Sequence, residues 1–385
     1  MLNEKRKNNF DIAIIGGGPA GSSAAIHLSQ SGMNVCLFEK KVFPREVLCG
    51  EFLSPEVFEE LVKLGIDKEF LALHPNKINS FRFINDDAAE LPVKFPFNAF
   101  SMKRSVFDNF LLSEAARRGA SIYQPSEVKG ITRRGNSFKL KFINAGSTEE
   151  ISADFLIAAY GKQNILDKAL GRNFVNARSR LNGVKFHINK KCLSSFDDDE
   201  IRIYAADEIY CGVNAVSDND VTICFLEDRA EYTSSYRQHL AELMRRNKKF
   251  ADLFNKEFFS MLNDLPVYGT GNIFFGKREL FKNGIFFVGD AAGVIAPLAG
   301  DGIGMALQAA RLLTKILIHG IQNKTDRHEL EGQYQSAWDK QFKKRLFSAG
   351  MVQKIILRNN LRRTGVALLR LFPWLLSEIV QRTRS

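Results

Sequence analysis

The ordered pattern begins with "DIAII" (residues 11–15), a short unbroken apolar run of the kind shown by a strand covered on both faces. "GGGPAG" follows, then "SSAAIHLSQSG", a helix of small residues with Gly32 as its C-cap. "NVCLFEK" is the next strand, which completes a βαβ unit. "RSVFDNFLLSEAARRG" (104–119) spaces its apolar residues for a helix, and "SIYQPSEVKGITRRGNSFKLKFIN" predicts antiparallel strands joined by polar turns. "ADFLIAAYG" (153–161) and "GIFFVGDAAG" (284–293) are two more apolar strands, each ending in glycine.

Between them the period changes. "GVKFHINK", "EIRIYAADEIYCGVNAV" and "DVTICFLED" alternate as half-buried strands do, and with "INSFRFIND" (78–86) they predict a second sheet. Residues 231–262 read as helical, and so does the chain from Gly304 to its end. The expected fold class is α/β. A discontinuous Rossmann-type nucleotide domain takes residues 1–75, 98–180 and 268–320. An antiparallel substrate-binding sheet takes 76–97 and 181–267, and a helical, basic, amphipathic region takes 321–385.

Composition narrows the class. In 385 residues, 45% are hydrophobic and 25% charged, as in an ordinary soluble protein. The start "MLNEKRKNNF" has no apolar signal region, and no run of about 18 apolar residues could span a bilayer. Cys36, Cys49, Cys192, Cys211 and Cys224 form no CxxC pair, which argues for a reducing cytoplasm and against a zinc site. The six histidines show no metal-ligand spacing, so no metal is expected and none is assigned a catalytic role. The net charge of +11 is concentrated in the tail: from Lys340 onward, eleven Lys and Arg face one acid, Glu378. Because those charges interleave with "VALLRLFPWLL", the tail does not read as a nucleic-acid arm.

Gly16, Gly18 and Gly21, with Pro19 and Ala20 between them, write G-x-G-x-x-G directly between a strand and a helix. That spacing gives a tight turn, close approach of pyrophosphate to the backbone, and tight packing of helix on strand. Glu39 stands 18 residues past Gly21 at the end of the second strand, followed by Lys40. An acid there accepts hydrogen bonds from ribose hydroxyls. A dinucleotide site is therefore expected at this turn.

A second stretch, "GDAAGVIAPLAGDGIGMALQAA" (289–310), sets Asp290 at a strand end and a helix behind a second glycine cluster. Here the chain resembles the flavoprotein family typified by p-hydroxybenzoate hydroxylase and the geranylgeranyl reductases, over roughly residues 10–320. The resemblance implies FAD in a glutathione reductase-like domain of the hydroxylase branch. It implies that Asp290 binds the ribityl chain and that the helix at Gly302 and Ile303 points at the flavin's pyrimidine edge. Arg104 of "KRSVFDNFLL", Val128 of "EVKGI" and Arg45 would also contact the cofactor. The family's D-G near residue 160 is replaced by Tyr160-Gly161, and no second nucleotide fingerprint exists, so NAD(P)H or another electron donor is expected to bind transiently.

The chemistry divides by branch. The family's halogenases carry W-x-W-x-I-P, whereas Trp338 and Trp374 lie far apart here. The form "GDAAG…P…GDGI" resembles the reductases, which also carry a cysteine and glycine after the ribose acid, as at Cys49 and Gly50. Cys49 is then either a proton donor beside the flavin or a packed thiol, with Arg45 and Glu46 as neighbours. The branch's Y-x-W-x-F-P becomes "YCGVNA": Tyr210 is kept as a candidate pocket residue, while Gly212, Asn214 and Ala215 open the site. The resemblance implies an FAD-dependent oxidoreductase acting on carbon–carbon bonds of a hydrophobic lipid, isoprenoid or polyketide-like substrate. A monooxygenase using NAD(P)H and O2 and a non-enzymatic flavin-binding membrane adaptor are the alternatives. "VALLRLFPWLLSEIV" (366–380), flanked by Arg358, Arg362, Arg363, Arg382 and Arg384, reads either as an interfacial helix on an anionic membrane or as a cap packed on the protein. The expected location is cytoplasmic, peripheral to the inner face of the membrane on the first of these readings.

Overall fold

Strands β1 (Asn9–Ile15) and β9 (Ser147–Ala158) run in parallel at the centre of the first sheet in this computed structural model, which describes residues 8–228 and 236–371. On one side of β1 lie β2 (Val35–Phe38) and β6 (Ser121–Tyr123). Beyond β9 lie β17 (Ile285–Phe287) and, antiparallel at the edge, β16 (Phe281–Lys282). The hairpin of β7 (Ser126–Arg134) and β8 (Ser137–Asn144) adds to the first half of β9. Ile12, Ile14, Leu156 and Ile157 are wholly buried, which explains why these strands carry unbroken apolar runs. Helix α1 (Pro19–Gln30) packs between α4 (Arg104–Arg117) and α9 (Gly302–Gln322). The small residues of α1 permit that close approach.

The second sheet has the order β14 (Tyr268–Thr270), β10 (Leu181–Asn189), β13 (Asp220–Asp228), β12 (Ile209–Ala215), β11 (Glu200–Ala206), β4 (Asn76–Ile84), β5 (Glu90–Ser101), β3 (Phe52–Leu53). It is antiparallel except where β11 meets β4 in parallel. It also reaches beyond residues 76–97 and 181–267. Phe52 pairs with Ser101, and β14 pairs with β10, so 52–53, 98–101 and 268–270 join it through ladders between distant segments.

Alternation gives this sheet two different faces. Val184, Phe186, Val213, Ile223 and Phe225 look one way into a core closed by α6 (Tyr236–Arg246), α7 (Lys248–Ala251) and α8 (Lys256–Met261). The other face is turned toward the first sheet and lines a cavity. Of the stretch 231–262 that reads as helical, residues 231–235 lie outside the described residues, and three short helices stand in the rest. Shorter elements complete the chain: α2 (Pro55–Leu64), α3 (Asp67–Leu71), α5 (Ile165–Ala169), and the pair β15 (Gly276–Lys277) and β18 (Gly293–Val294).

Helix α10 (Arg327–Leu357) buries Trp338, whose ring would lie 3.0 Å from a Cβ on Gly293, so this tryptophan has a packing role. Helix α11 (Asn359–Leu371) turns back against the second sheet. Arg362 faces inward and not toward lipid: its guanidinium meets Asn85 Oδ1 at 2.7 Å, Ala206 O at 2.9 Å and Asp86 Oδ2 at 3.0 Å. Five hydrogen-bond donors held in a fixed fork suit this buried position better than a membrane surface. The rest of 366–380, from residue 372, lies outside the described residues. Among the described residues, no helix is long and apolar enough to cross a membrane.

Candidate active site

The glycine turn is shaped by contacts that exclude side chains. Gly16 sits at φ +111°, where a Cβ would come within 2.5 Å of Ala159 O. A Cβ on Gly21 would come within 1.9 Å of Gly16 O. Backbone cannot yield as a flexible side chain does, so both positions require glycine. Glu39 is buried; its Oε2 accepts from Gly17 N and its Oε1 from Lys41 N, both at 2.9 Å. Arg45 stands 4.0 Å from Glu39 and 3.2 Å from Asp108. Gly16, Gly18, Pro19, Ala20, Glu39, Lys40, Arg45, Arg104 and Val128 all line one cavity of about 1270 Å³. Gly21 lies beneath it as packing.

The opposite wall comes from the second glycine cluster. Asp290, Gly302 and Ile303 line the same cavity, with the N-terminus of α9 directed at it. Lys162 Nζ lies 3.9 Å from Asp290, and Arg278 lines the cavity beside them. A tight turn closed to any Cβ, a buried acid beside it and a helix N-terminus opposite form a donor and acceptor set that fits FAD. When bound, FAD supplies hydride and electron transfer. Tyr160, in the place of the family's aspartate, donates to Asp167 Oδ1 at 2.6 Å. That carboxylate also closes the capping box of α5 and lies 3.4 Å from buried Arg172, so it does not replace the missing acid. Burial and this bond push the Tyr160 hydroxyl pKa up.

Cys49 is half-buried on the cavity wall. Its Sγ accepts from Glu51 N at 3.3 Å, and the Arg104 guanidinium lies against it. Arg104 is itself aimed by Asp108 through two bonds of 2.7 and 2.8 Å. Glu51 carries no motif that singles it out in the sequence, yet it is the centre of the polar site. At φ +60° and wholly buried, it is reached by Lys185 Nζ at 2.7 Å, His187 Nε2 at 2.6 Å, Arg104 N at 2.8 Å and the Thr222 hydroxyl. Burial alone would raise its carboxyl pKa, but the bond to His187 and the Lys185 charge hold it down at about 2. Lys185 Nζ also meets Glu46 at 2.6 Å. Burial opposes its charge, yet the two carboxylates raise its pKa. Glu46, Glu51 and His187 gather ligand atoms within 4.8 Å of one another, and the Lys185 ammonium is the cation their carboxylates hold. The alternation of "GVKFHINK" placed Lys185 and His187 on one face; only the fold brings Glu51 to them.

Strand register extends this polar cluster into a gradient. His187 pairs with Thr222 and Thr222 with Asn214. The next cavity-facing row is Lys185, Cys224 and Gly212, and then Gly183, Leu226 and Tyr210. Beyond Tyr210 the wall is apolar: Phe81, Phe83, Leu91, Phe95, Ile201 and Ile203, with Val352, Ile356, Val366 and Leu369 from α10 and α11. Among the described residues, Asn214 Nδ2 on this wall is buried without a hydrogen-bond partner, and the buried Tyr210 Oη has the Leu298 backbone beside it. Cys49 and Tyr210 thus share one cavity with the cofactor cradle, Cys49 beside the cluster and Tyr210 where the wall turns apolar.

A dinucleotide cradle roofed by a partly apolar sheet is the architecture of a flavin-dependent oxidoreductase. The profile of the FAD binding domain family matches residues 9–339, and the chain belongs to that family. It is similar to digeranylgeranylglycerophospholipid reductase 1 of Methanosphaera stadtmanae, 28% identical over 313 residues, or 76% of this chain and 71% of that protein. Its fold matches the myxobacterial chondrochloren halogenase at TM-score 0.79 and 18% identity, over 98% of this chain and 91% of that one. A geranylgeranyl bacteriochlorophyll reductase-like protein of Thermoplasma acidophilum matches at TM-score 0.74 and 19% identity, over 91% and 88% of the two chains. The resemblance to the geranylgeranyl reductase and hydroxylase superfamily holds, and the halogenase is a neighbour in fold.

Proposed function

We propose that the protein uses bound FAD to reduce carbon–carbon double bonds of a hydrophobic, lipid-like substrate. The observation that carries this reading is the graded wall: a polar, charged end at Cys49, Glu51 and Lys185, and an apolar end extending from Tyr210 to α11. Reduction of an alkene needs a hydride at one carbon and a proton at the other. The wall supports the proton's delivery, with the Cys49 thiol as its donor and Arg104 holding that thiol in place. Tyr210 and Asn214 would orient a polar group of the substrate, because leaving a buried donor such as Asn214 Nδ2 unpaired costs about 1–3 kcal/mol. The similarity to a digeranylgeranylglycerophospholipid reductase favours an unsaturated isoprenoid chain. A transient donor such as NAD(P)H would reduce the flavin.

The test is anaerobic. Flavin reduced by light or NAD(P)H is mixed with a polyunsaturated isoprenoid lipid in the absence of O2. Reoxidation of the flavin with a product richer by a hydrogen pair is expected. Turnover only with O2, and a product that gains oxygen, would replace this reading with the monooxygenase one.

A further inference from the structure

The surface above the apolar end of the cavity is itself apolar. On α10, Phe347, Met351 and Ile355 recur every fourth residue and therefore share one face. They are exposed to 70%, 50% and 38%. On α11, Leu361 (53% exposed), Gly365 and Leu368 (48%) share a face. The helices meet there, since a Cβ on Gly365 would lie 3.6 Å from Ile355. The five large side chains thus lie on two helix faces that meet at Ile355 and Gly365, an arrangement uncommon on a soluble surface. Lys344 lies on the same α10 face, and Lys354, Arg358, Arg363 and Arg370 are exposed around the patch. No acid occurs in the sequence between Asp339 and Glu378. Acids from the second sheet approach the corner where the helices join: Asp228 stands 3.9 Å from Arg358, Asp86 3.7 Å from Arg363, and Asp207 accepts from Asn359 N at 3.1 Å, with Asp87 near Arg363. Ile355 and Leu368 belong both to this exposed patch and to the cavity lining, so the cavity reaches the surface between the two helices.

We propose that this α10–α11 face docks the enzyme on an anionic phospholipid surface, with the apolar end of the cavity opening toward the acyl chains. Apolar side chains flanked by cations, on helix segments that carry no acid from Lys340 to Leu371, are complementary to a negatively charged headgroup layer over hydrocarbon. A docked enzyme would take a chain from the bilayer without moving it through water. The docking stands apart from the reaction, and its test involves no turnover.

The experiment is flotation of the full-length, FAD-loaded protein with vesicles of phosphatidylglycerol and phosphatidylcholine, or of phosphatidylcholine alone. The protein should float with the anionic vesicles, more weakly at high salt, and far less with the neutral ones. Phe347→Asp/Met351→Asp places two charges on exposed positions outside the cavity. It should lower the partition coefficient at least about tenfold, with flavin content and circular dichroism unchanged. Lys344→Glu/Arg363→Glu should weaken binding to anionic vesicles alone. Equal flotation of the aspartate variant and the parent would move the contact elsewhere in the chain and overturn the proposal. So would a failure of the parent to bind anionic vesicles. Concentration-dependent self-association without vesicle binding, abolished by the same substitutions, would assign the face to a second copy and also overturn it.

Discussion

Glu51 and Lys185 meet at 2.7 Å with neither side chain exposed, and they come from segments 134 residues apart. The pair ties the loop carrying Cys49 to the second sheet. Glu51→Gln keeps the shape but leaves Lys185 with Glu46 alone, and should destabilise the protein by about 3 kcal/mol at neutral pH. The pH dependence has a definite sign. The folded-state pKa of Glu51 is depressed to about 2 from an ordinary 4.5, so its contribution is fully present above about pH 4.5 and disappears as pH falls toward 2. Urea denaturation across that range should show parent and variant converging in acid. A constant gap would mean that Glu51 is not the group titrating.

The glycine turn separates cofactor binding from general stability. Gly21→Ala drives a methyl group into Gly16 O, and the purified protein should be colourless. Gly130→Ala, where a Cβ meets only Lys141 Cβ at 4.0 Å, should stay yellow. Asp290→Ala and Glu39→Ala each remove an acceptor and should weaken FAD binding about tenfold or more. Flavin absorbance after dilution and gel filtration checks all four.

Cys49→Ala should retain FAD, because the thiol touches Arg104 and Glu51 and none of the glycine turn. Stopped-flow traces should show flavin reduction nearly unchanged and reoxidation by the proposed isoprenoid lipid slowed about a hundredfold, in the range of a lost general acid. Unchanged reoxidation would make Cys49 a packing residue.

Gly212 is the narrowest side chain on the cavity-facing row, and a Cβ there meets only Cys224 O at 3.9 Å. Gly212→Phe should therefore fold, bind FAD and narrow the cavity between the polar cluster and the apolar wall. Titration with a long-chain isoprenoid should show affinity reduced at least about tenfold while a short-chain analogue loses less. Equal losses for both would place the long chain elsewhere.

Local signals determined much of this protein. The turn at Gly16–Gly21 was legible because dinucleotide binding needs a strand, a glycine spacing and a helix in immediate succession, and Glu39 ends the very next strand. The strand alternation that separated a second sheet from the first was legible because side chains on a strand point to opposite faces in turn. The order of motifs, from Glu39 through Arg104 to Asp290, carried the flavoprotein assignment. The tertiary structure alone decided the rest. Glu51 reads as an ordinary acid after Cys49-Gly50, and its partners Lys185, His187 and Thr222 become neighbours only when two sheets pack. Phe52–Leu53 and residues 98–101 joined the second sheet through ladders that no local pattern encodes. In the basic tail, composition could not distinguish Arg362, buried against Asp86, from Arg363 beside it, 55% exposed. Charge and hydropathy are properties of residues, whereas burial depends on which surfaces the chain later brings together.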